Sequence, residues 1–303
     1  MTRIPTPQVV GIVVLAAIWG ASFMFIKVML AEMGPVAVAW VRLLGGAVFV
    51  LVLAFARGAG LPGSARYWLD TTVVAVLASA VPLVLIPWGE RSISSQLAGL
   101  LNGAMPLWTA LLAVAFLPSE RIGGTGALGL VLGFAGVVLV IGPDVVRPGE
   151  PSTQGALAVV LATVCYAAGA VWIRSRLRGV NSTLLAGTSS LLAALLLTPL
   201  LIAVESMPNL PSMSASVIAA SAGLALLSSG VAYVIYYWLL STLEATQASL
   251  VTYLIPLFAL GWGAAVLGES LPLGTLPGLA LVVLGVWLVG RPRRVPQILP
   301  GEA

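Results

Sequence analysis

Histidine is absent from the 303-residue chain. That removes the commonest metal ligand and the commonest acid–base shuttle at neutral pH. There is one cysteine, Cys165, inside an apolar run, so no intrachain disulfide can form. Charge is scarce: 8% of residues are Asp, Glu, Lys or Arg, against about 25% in a soluble domain. No Walker-type glycine-rich loop occurs, which excludes direct ATP drive within this chain. Clustered carboxylates and metal-ligand spacings are missing too, and this argues against a membrane-embedded enzyme. No cofactor and no metal are expected.

What the chain has in quantity is apolar sequence. Hydrophobic residues make up 60% of it, and mean hydropathy is +1.10. Its Leu/Val/Ala runs are mostly about 20 residues long, enough to cross a hydrocarbon core of ~30 Å. Backbone polar groups in lipid must be satisfied inside a helix or a closed barrel. These runs are continuous rather than alternating, so they predict helices. Ten spans are expected, at 8–30, 36–56, 69–88, 96–117, 123–142, 155–173, 182–204, 215–240, 246–267 and 273–290. The first is long for a signal-peptide core and lacks a cleavage site, so it reads as a retained span. Short connections hold most of the Pro, Gly and charge.

The basic residues set an orientation. With the N-terminus inside, ten of them face the cytoplasm: Arg3, Arg57, Arg66, Arg121, Arg174, Arg176, Arg178, Arg291, Arg293 and Arg294. Lys27, Arg91 and Arg147 face out, and Arg42 falls within the second span. The positive-inside rule therefore predicts that both termini are cytoplasmic. The formal charge of +4 is explained by topology and predicts no nucleic-acid partner.

The chain also repeats itself. Residues 94–142 return in weakened form at 244–290, with Pro106 matching Pro256, Glu120 matching Glu269, and Gly129 and Gly136 matching Gly278 and Gly285. Five spans per copy is an odd number, so the second copy must cross the membrane upside down. Charge follows that inversion. Arg121 is lost at Ser270, while the loop after span six has gained Arg174, Arg176 and Arg178. An internally repeated membrane chain of this kind reads as a transporter whose halves rock about a shared site.

Several local patterns carry a resemblance. Span one reads Trp19-Gly20-Ala21-Ser22-Phe23, then Ile26-Lys27, followed by Pro35 and Arg42. Span three ends Trp88-Gly89-Glu90-Arg91, and span four holds Ala98-Gly99-Leu100-Leu101-Asn102 and Pro106-Leu107. Together these resemble the EamA branch of the drug/metabolite transporter superfamily over nearly the whole chain. The resemblance implies an all-α integral membrane fold of ten transmembrane helices, in two inverted five-helix repeats around a central cavity. It divides the chain into a first repeat at 8–142, a second at 153–290 and a cytoplasmic tail at 291–303. It also implies movement of small metabolites, amino acids among them, often outward. The second repeat departs from the first: Trp19-Gly20 becomes Tyr166-Ala167 and Lys27 becomes Arg174, so symmetric substrate contacts are not expected.

Candidate substrate-binding residues fall into two sets. Ionisable residues within spans are functional candidates because charge in lipid is costly. Arg42 lies about two turns into span two, roughly 10 Å from its outer end. Lys27 and Glu90 lie at the outer ends of spans one and three, and Asn102 about two turns into span four. Glu90 is expected to pair with Arg42 or Lys27, leaving positive charge for an anion such as a carboxylate. The alternative is a structural ion pair at the helix ends, with Lys27 snorkelling to the interface. The second set is aromatic: Trp19, its counterpart Tyr166, the pair Tyr233 and Tyr237 on one face of span eight, and Tyr253. Such rings can hold an organic cation or simply pack against helices and lipid, the reading favoured for Tyr236 and Trp238. Pro106 and Pro256 mark kinks that serve as gating hinges or as static bends. Glu90 is also the leading carboxylate for proton coupling. The glycine rows, including Gly129, Gly133, Gly136, Gly274 and Gly278, permit close helix packing.

The resulting expectation is a monomeric, multi-pass secondary transporter of the inner (cytoplasmic) membrane that is not an enzyme. Its partners are a small-molecule substrate and the lipid bilayer. A multidrug or organic-cation exporter is the first alternative, and a channel the second, although no pore loop or ring of like residues is visible.

Overall fold

The computed structural model describes residues 5–117, 123–145, 150–209, 212–243, 250–270 and 274–289. The described chain is helical, and we number its helices by span. α1 is Thr6–Met29, α2 Pro35–Ala56, α3 Ala65–Glu90, α4 Ser95–Phe116 and α5 Gly124–Val145. α6 is Pro151–Arg176, α7 Ser182–Val204, α9 Leu250–Leu267 and α10 Thr275–Val289. α8 is built from Ala215–Ala222, Gly223–Val231 and Ala232–Thr242. Eight of these helices are long and apolar enough to cross a membrane; the apolar stretches Gly124–Val140 in α5 and Thr275–Val289 are shorter. The protein is an integral, multi-pass membrane protein.

Local chemistry sets the ends. Pro35 and Pro151 open α2 and α6, where a missing N–H costs nothing. Ser94 caps α4 by accepting from the Leu97 amide at 3.1 Å, as its place at the span start predicts. Asn181 does the same for α7 with Leu184 at 3.0 Å.

Among the described residues, three helices are irregular in mid-span. α3 passes through a π segment at Val76–Ala80 and α8 through one at Gly223–Val231. α4 breaks at Gly103–Ala104, between Ser95–Asn102 and Met105–Phe116. Pro106 therefore starts a new helical segment, whereas α9 runs unbroken through Pro256. A Cβ on Gly103 would lie 3.0 Å from Pro256 Cγ, so the two matched prolines flank one contact.

The packing is α1 on α9, α2 on α7, α3 and α4 on α6, α4 on α9, α5 on α10, and α8 on α1 and α2. Small residues make it possible. A Cβ on Gly129 would lie 2.7 Å from the Gly285 oxygen, and one on Gly136 2.6 Å from that of Gly278, so α5 and α10 touch backbone to backbone. Gly274, grouped with this row by its spacing, has open space around it; Gly285 takes its place. On α1, a Cβ on Gly20 would meet the Ala259 nitrogen of α9 at 2.9 Å. The largest buried cluster joins α1–α7 with α8, α9 and α10.

Candidate functional site: a central cavity

The irregular helices surround a cavity of about 620 Å³. A helix that loses its regular ladder turns polar groups inward, and π segments concentrate at functional sites for that reason. Here both π segments contribute lining residues, Ala78 and Ser79 from α3 and Ser228 and Ser229 from α8. The break in α4 contributes Asn102, Gly103, Met105 and Pro106. The volume lies within the range of small-molecule sites.

Five of the nine substrate-binding candidates line it: Trp19, Arg42, Asn102, Tyr166 and Tyr233. Trp19 is fixed by donating its indole N–H to the Ser228 carbonyl at 3.2 Å, and it packs on Tyr236 with ring centroids 5.4 Å apart. Tyr236 lines the cavity as well. It shares a face with Tyr233 because residues three apart on a helix do so. The packing role expected of Tyr236 is thus combined with exposure to the cavity. Tyr237 lies on α8, and its side chain is outside the described residues. Tyr253 packs against the main core rather than the cavity, which takes its neighbours Thr252 and Ile255.

Arg42 is half-buried, and among the described residues its guanidinium has no hydrogen bond and no ion pair. It lies within electrostatic range of Tyr166, Tyr233 and the buried Glu90 carboxyl. Asn102 Oδ1 and Ser22 Oγ are buried without a partner. Unsatisfied polar groups on a cavity wall are what a bound solute or water would meet.

Among the described residues Glu90 makes no ion pair at contact distance, although Lys27 and Arg42 both lie within electrostatic range of its carboxyl. Lys27 donates its ammonium to the main-chain oxygens of Glu90 and Ile93, the latter at 2.8 Å. These carbonyls lie at and just after the end of α3 and lack helical partners, so they attract the cation directly while it also acts on the Glu90 carboxyl through space. The Glu90 side chain is fully buried, and neither carboxyl oxygen has a hydrogen-bond partner. Lys27 and Glu90 both lie outside the cavity lining, at one end of the bundle.

That end is sealed. Met29, Glu90, Ser95 and Gln96 are buried there, together with Met33 and Ile93. It is also stitched by carboxylates that the sequence reading passed over. Glu205, just after α7, accepts from the Val36 and Ala37 amides of α2 at 3.1 and 2.9 Å. Glu269, just after α9, accepts from the Ser95 amide and hydroxyl at 2.9 and 2.8 Å and from the Gln96 amide at 3.1 Å, all at the start of α4. Glu32, after α1, accepts from the Ser214 amide before α8 at 3.0 Å. The Ser214 side chain and amide hold the Glu32 carboxyl below its usual range. Each helix start has orphan N–H groups that favour an anion. The only sequence signal was a glutamate directly after a helix end. From the sealed end the cavity extends toward half-buried Ile173, Tyr236 and Thr252, near the end of α6 and the start of α9.

A multi-pass helical membrane protein with a polar-spotted internal cavity belongs, as a class, with solute transporters. The chain matches the EamA-like transporter family over residues 6–142 and 153–291, and it belongs to that family. It is 28% identical over 279 residues to an uncharacterized transporter of Archaeoglobus fulgidus, covering 91% of this chain and 95% of that one. It is 21% identical to the uncharacterized transporter YoaV of Bacillus subtilis, covering 92% and 94%. With the uncharacterized inner membrane transporter YedA of Escherichia coli K12 it shares 27% identity, covering 90% and 87%. A solved crystal structure of a protein 20% identical superposes with a TM-score of 0.65 over 94% of this chain and 97% of that one, a likeness of fold.

Proposed function

We propose that this chain is a monomeric secondary carrier of the inner membrane that moves small carboxylate-bearing metabolites, amino acids and related compounds, outward by alternating access. The observation that carries the reading is the cavity. It is lined by helices of both halves, it is closed at one end, and it presents Arg42, Asn102 and Ser22 unpaired.

An inverted pair of repeats is supported by the packing. Exchanging α1–α5 with α6–α10 turns the α1–α9 contact into α6–α4 and the α3–α6 contact into α8–α1, while α2–α7 and α5–α10 map onto themselves. The matched π segments of α3 and α8 fit the same exchange. The distribution of arginine supports cytoplasmic termini, and likeness to YedA supports the inner membrane. In that orientation the sealed end faces out and the cavity opens inward. Pro106, just after the break in α4, and Pro256, against Gly103 at that break, are the proposed hinge.

The aromatic walls also favour organic cations, but Arg42 in the same cavity repels them, so export of cationic drugs ranks second. Reconstitution in proteoliposomes tests the carrier. Saturable uptake stimulated by unlabelled solute on the far side is expected. Linear flux without that stimulation would instead indicate a channel.

A further inference from the structure

We infer that, within the carboxylate-bearing solutes proposed above, the cavity prefers a flat, ring-bearing monocarboxylate by its net negative charge and takes zwitterionic amino acids, and cations of the same shape, less well; this rests on the cavity being the substrate site. Among the described residues lining it, Arg42 alone carries a formal charge. Among the described residues no Asp or Glu lines the cavity to receive an ammonium group. A solute with a single negative charge therefore meets one guanidinium that, among the described residues, has no hydrogen bond and no ion pair at contact distance, with the Glu90 carboxyl acting on it only through space.

The remaining wall sets the rest of the ligand. Trp19, Tyr166, Tyr233 and Tyr236 give rings of two opposing halves, and Trp19 is held in place by its bond to Ser228. Asn102 and Ser22 add neutral hydrogen-bonding groups. A guanidinium presents a planar fork that a carboxylate can meet with two parallel hydrogen bonds. A dianion such as a phosphate ester would leave its second charge unmatched in a mostly apolar chamber, where desolvation is costly. An amino group added to a carboxylate would gain ring faces and neutral acceptors such as Asn102 Oδ1 but no carboxylate, and would sit near the like charge of Arg42.

The test is equilibrium binding to the purified full chain in nanodiscs, with four probes of one shape: phenylpropionate, phenylalanine, phenylpropylamine and phenylpropionamide. Phenylpropionate is expected to bind about tenfold or more tighter than the other three, as a charge pair in a partly desolvated site would give. Arg42→Gln is expected to remove that preference and leave the amide's binding within about twofold, with Arg42→Lys restoring part of it. The wild-type ranking alone already decides. Equal or tighter binding of phenylalanine or the amine, or no binding by any of the four, overturns the inference. Counterflow of labelled phenylpropionate is read in parallel. Arg42-dependent binding without counterflow would keep the anion site and remove the carrier. Counterflow of phenylalanine at least as good as that of the anion would keep the carrier and remove the anion site.

Discussion

Replacing Glu269 with alanine should loosen the sealed end by an amount that can be worked from its bonds. The carboxylate accepts from two main-chain amides and one hydroxyl at the start of α4. Ser95 is 0% exposed and Gln96 2%, so water cannot readily replace the lost acceptor. The Ser94 hydroxyl is already engaged with Leu97. The Ser95 hydroxyl can rotate to another partner, which leaves two amides without acceptors. Each buried, unsatisfied N–H costs about 1–3 kcal/mol, so the expected loss is about 2–6 kcal/mol. Glu269→Gln keeps one carbonyl acceptor and should lose about half as much. Reversible unfolding in mixed detergent–SDS micelles measures this directly. In a double-mutant cycle, Ser95→Ala should couple to Glu269→Ala by about 0.5–1.5 kcal/mol, the worth of the hydroxyl bond. A loss below about 0.5 kcal/mol for Glu269→Ala would refute the assignment of this carboxylate as a buried cap between helices.

Two further outcomes follow from the same end of the bundle. Any Cβ on Gly34 would fall on the Glu205 carboxylate, so Gly34→Ala should cost about 1–3 kcal/mol by the same unfolding measurement. That cost should shrink in a Glu205→Ala background. Glu32, held below its usual range by Ser214, should contribute stability that is present above the ordinary carboxyl range and lost as pH falls through its lower folded value. Thermal unfolding of Glu32→Gln across the acid range should lack that step.

How much was legible in the sequence differed from helix to helix. α7 was read to its observed ends, because an apolar run bounded by Asn181 and Glu205 is a strong length signal. α3 and α6 extend beyond the apolar runs, since polar first and last turns such as Ala65–Asp70 and Arg174–Arg176 remain helical. The π segments had no signature, because a wider turn leaves composition unchanged. Proline 106 predicted a disturbance in α4, and the break falls just before it at Gly103–Ala104. Within the site, a charge inside an apolar span marked Arg42, and mid-span position marked Trp19 and Tyr166. Charge alone misled for Lys27, which meets carbonyls at the end of α3 rather than a carboxylate. Those acceptors exist only once the helix has ended. The caps by Glu32, Glu205 and Glu269 join residues more than 160 positions apart, a pairing that no local pattern encodes.

The central claim is that one cavity is exposed to each face of the membrane in turn. It is tested most directly by a thiol placed in the cavity wall, as Ser190→Cys in a Cys165→Ala background, and labelled with an impermeant maleimide from each face in oriented vesicles. Ser190 lines the cavity and is half-buried. The account predicts fast labelling from the face where α6 ends and slow labelling from the sealed face. Loss of the Glu269 cap should raise the second rate and lower the first. Rates that rise and fall together, or a thiol that reacts from one face only under every condition, would contradict it.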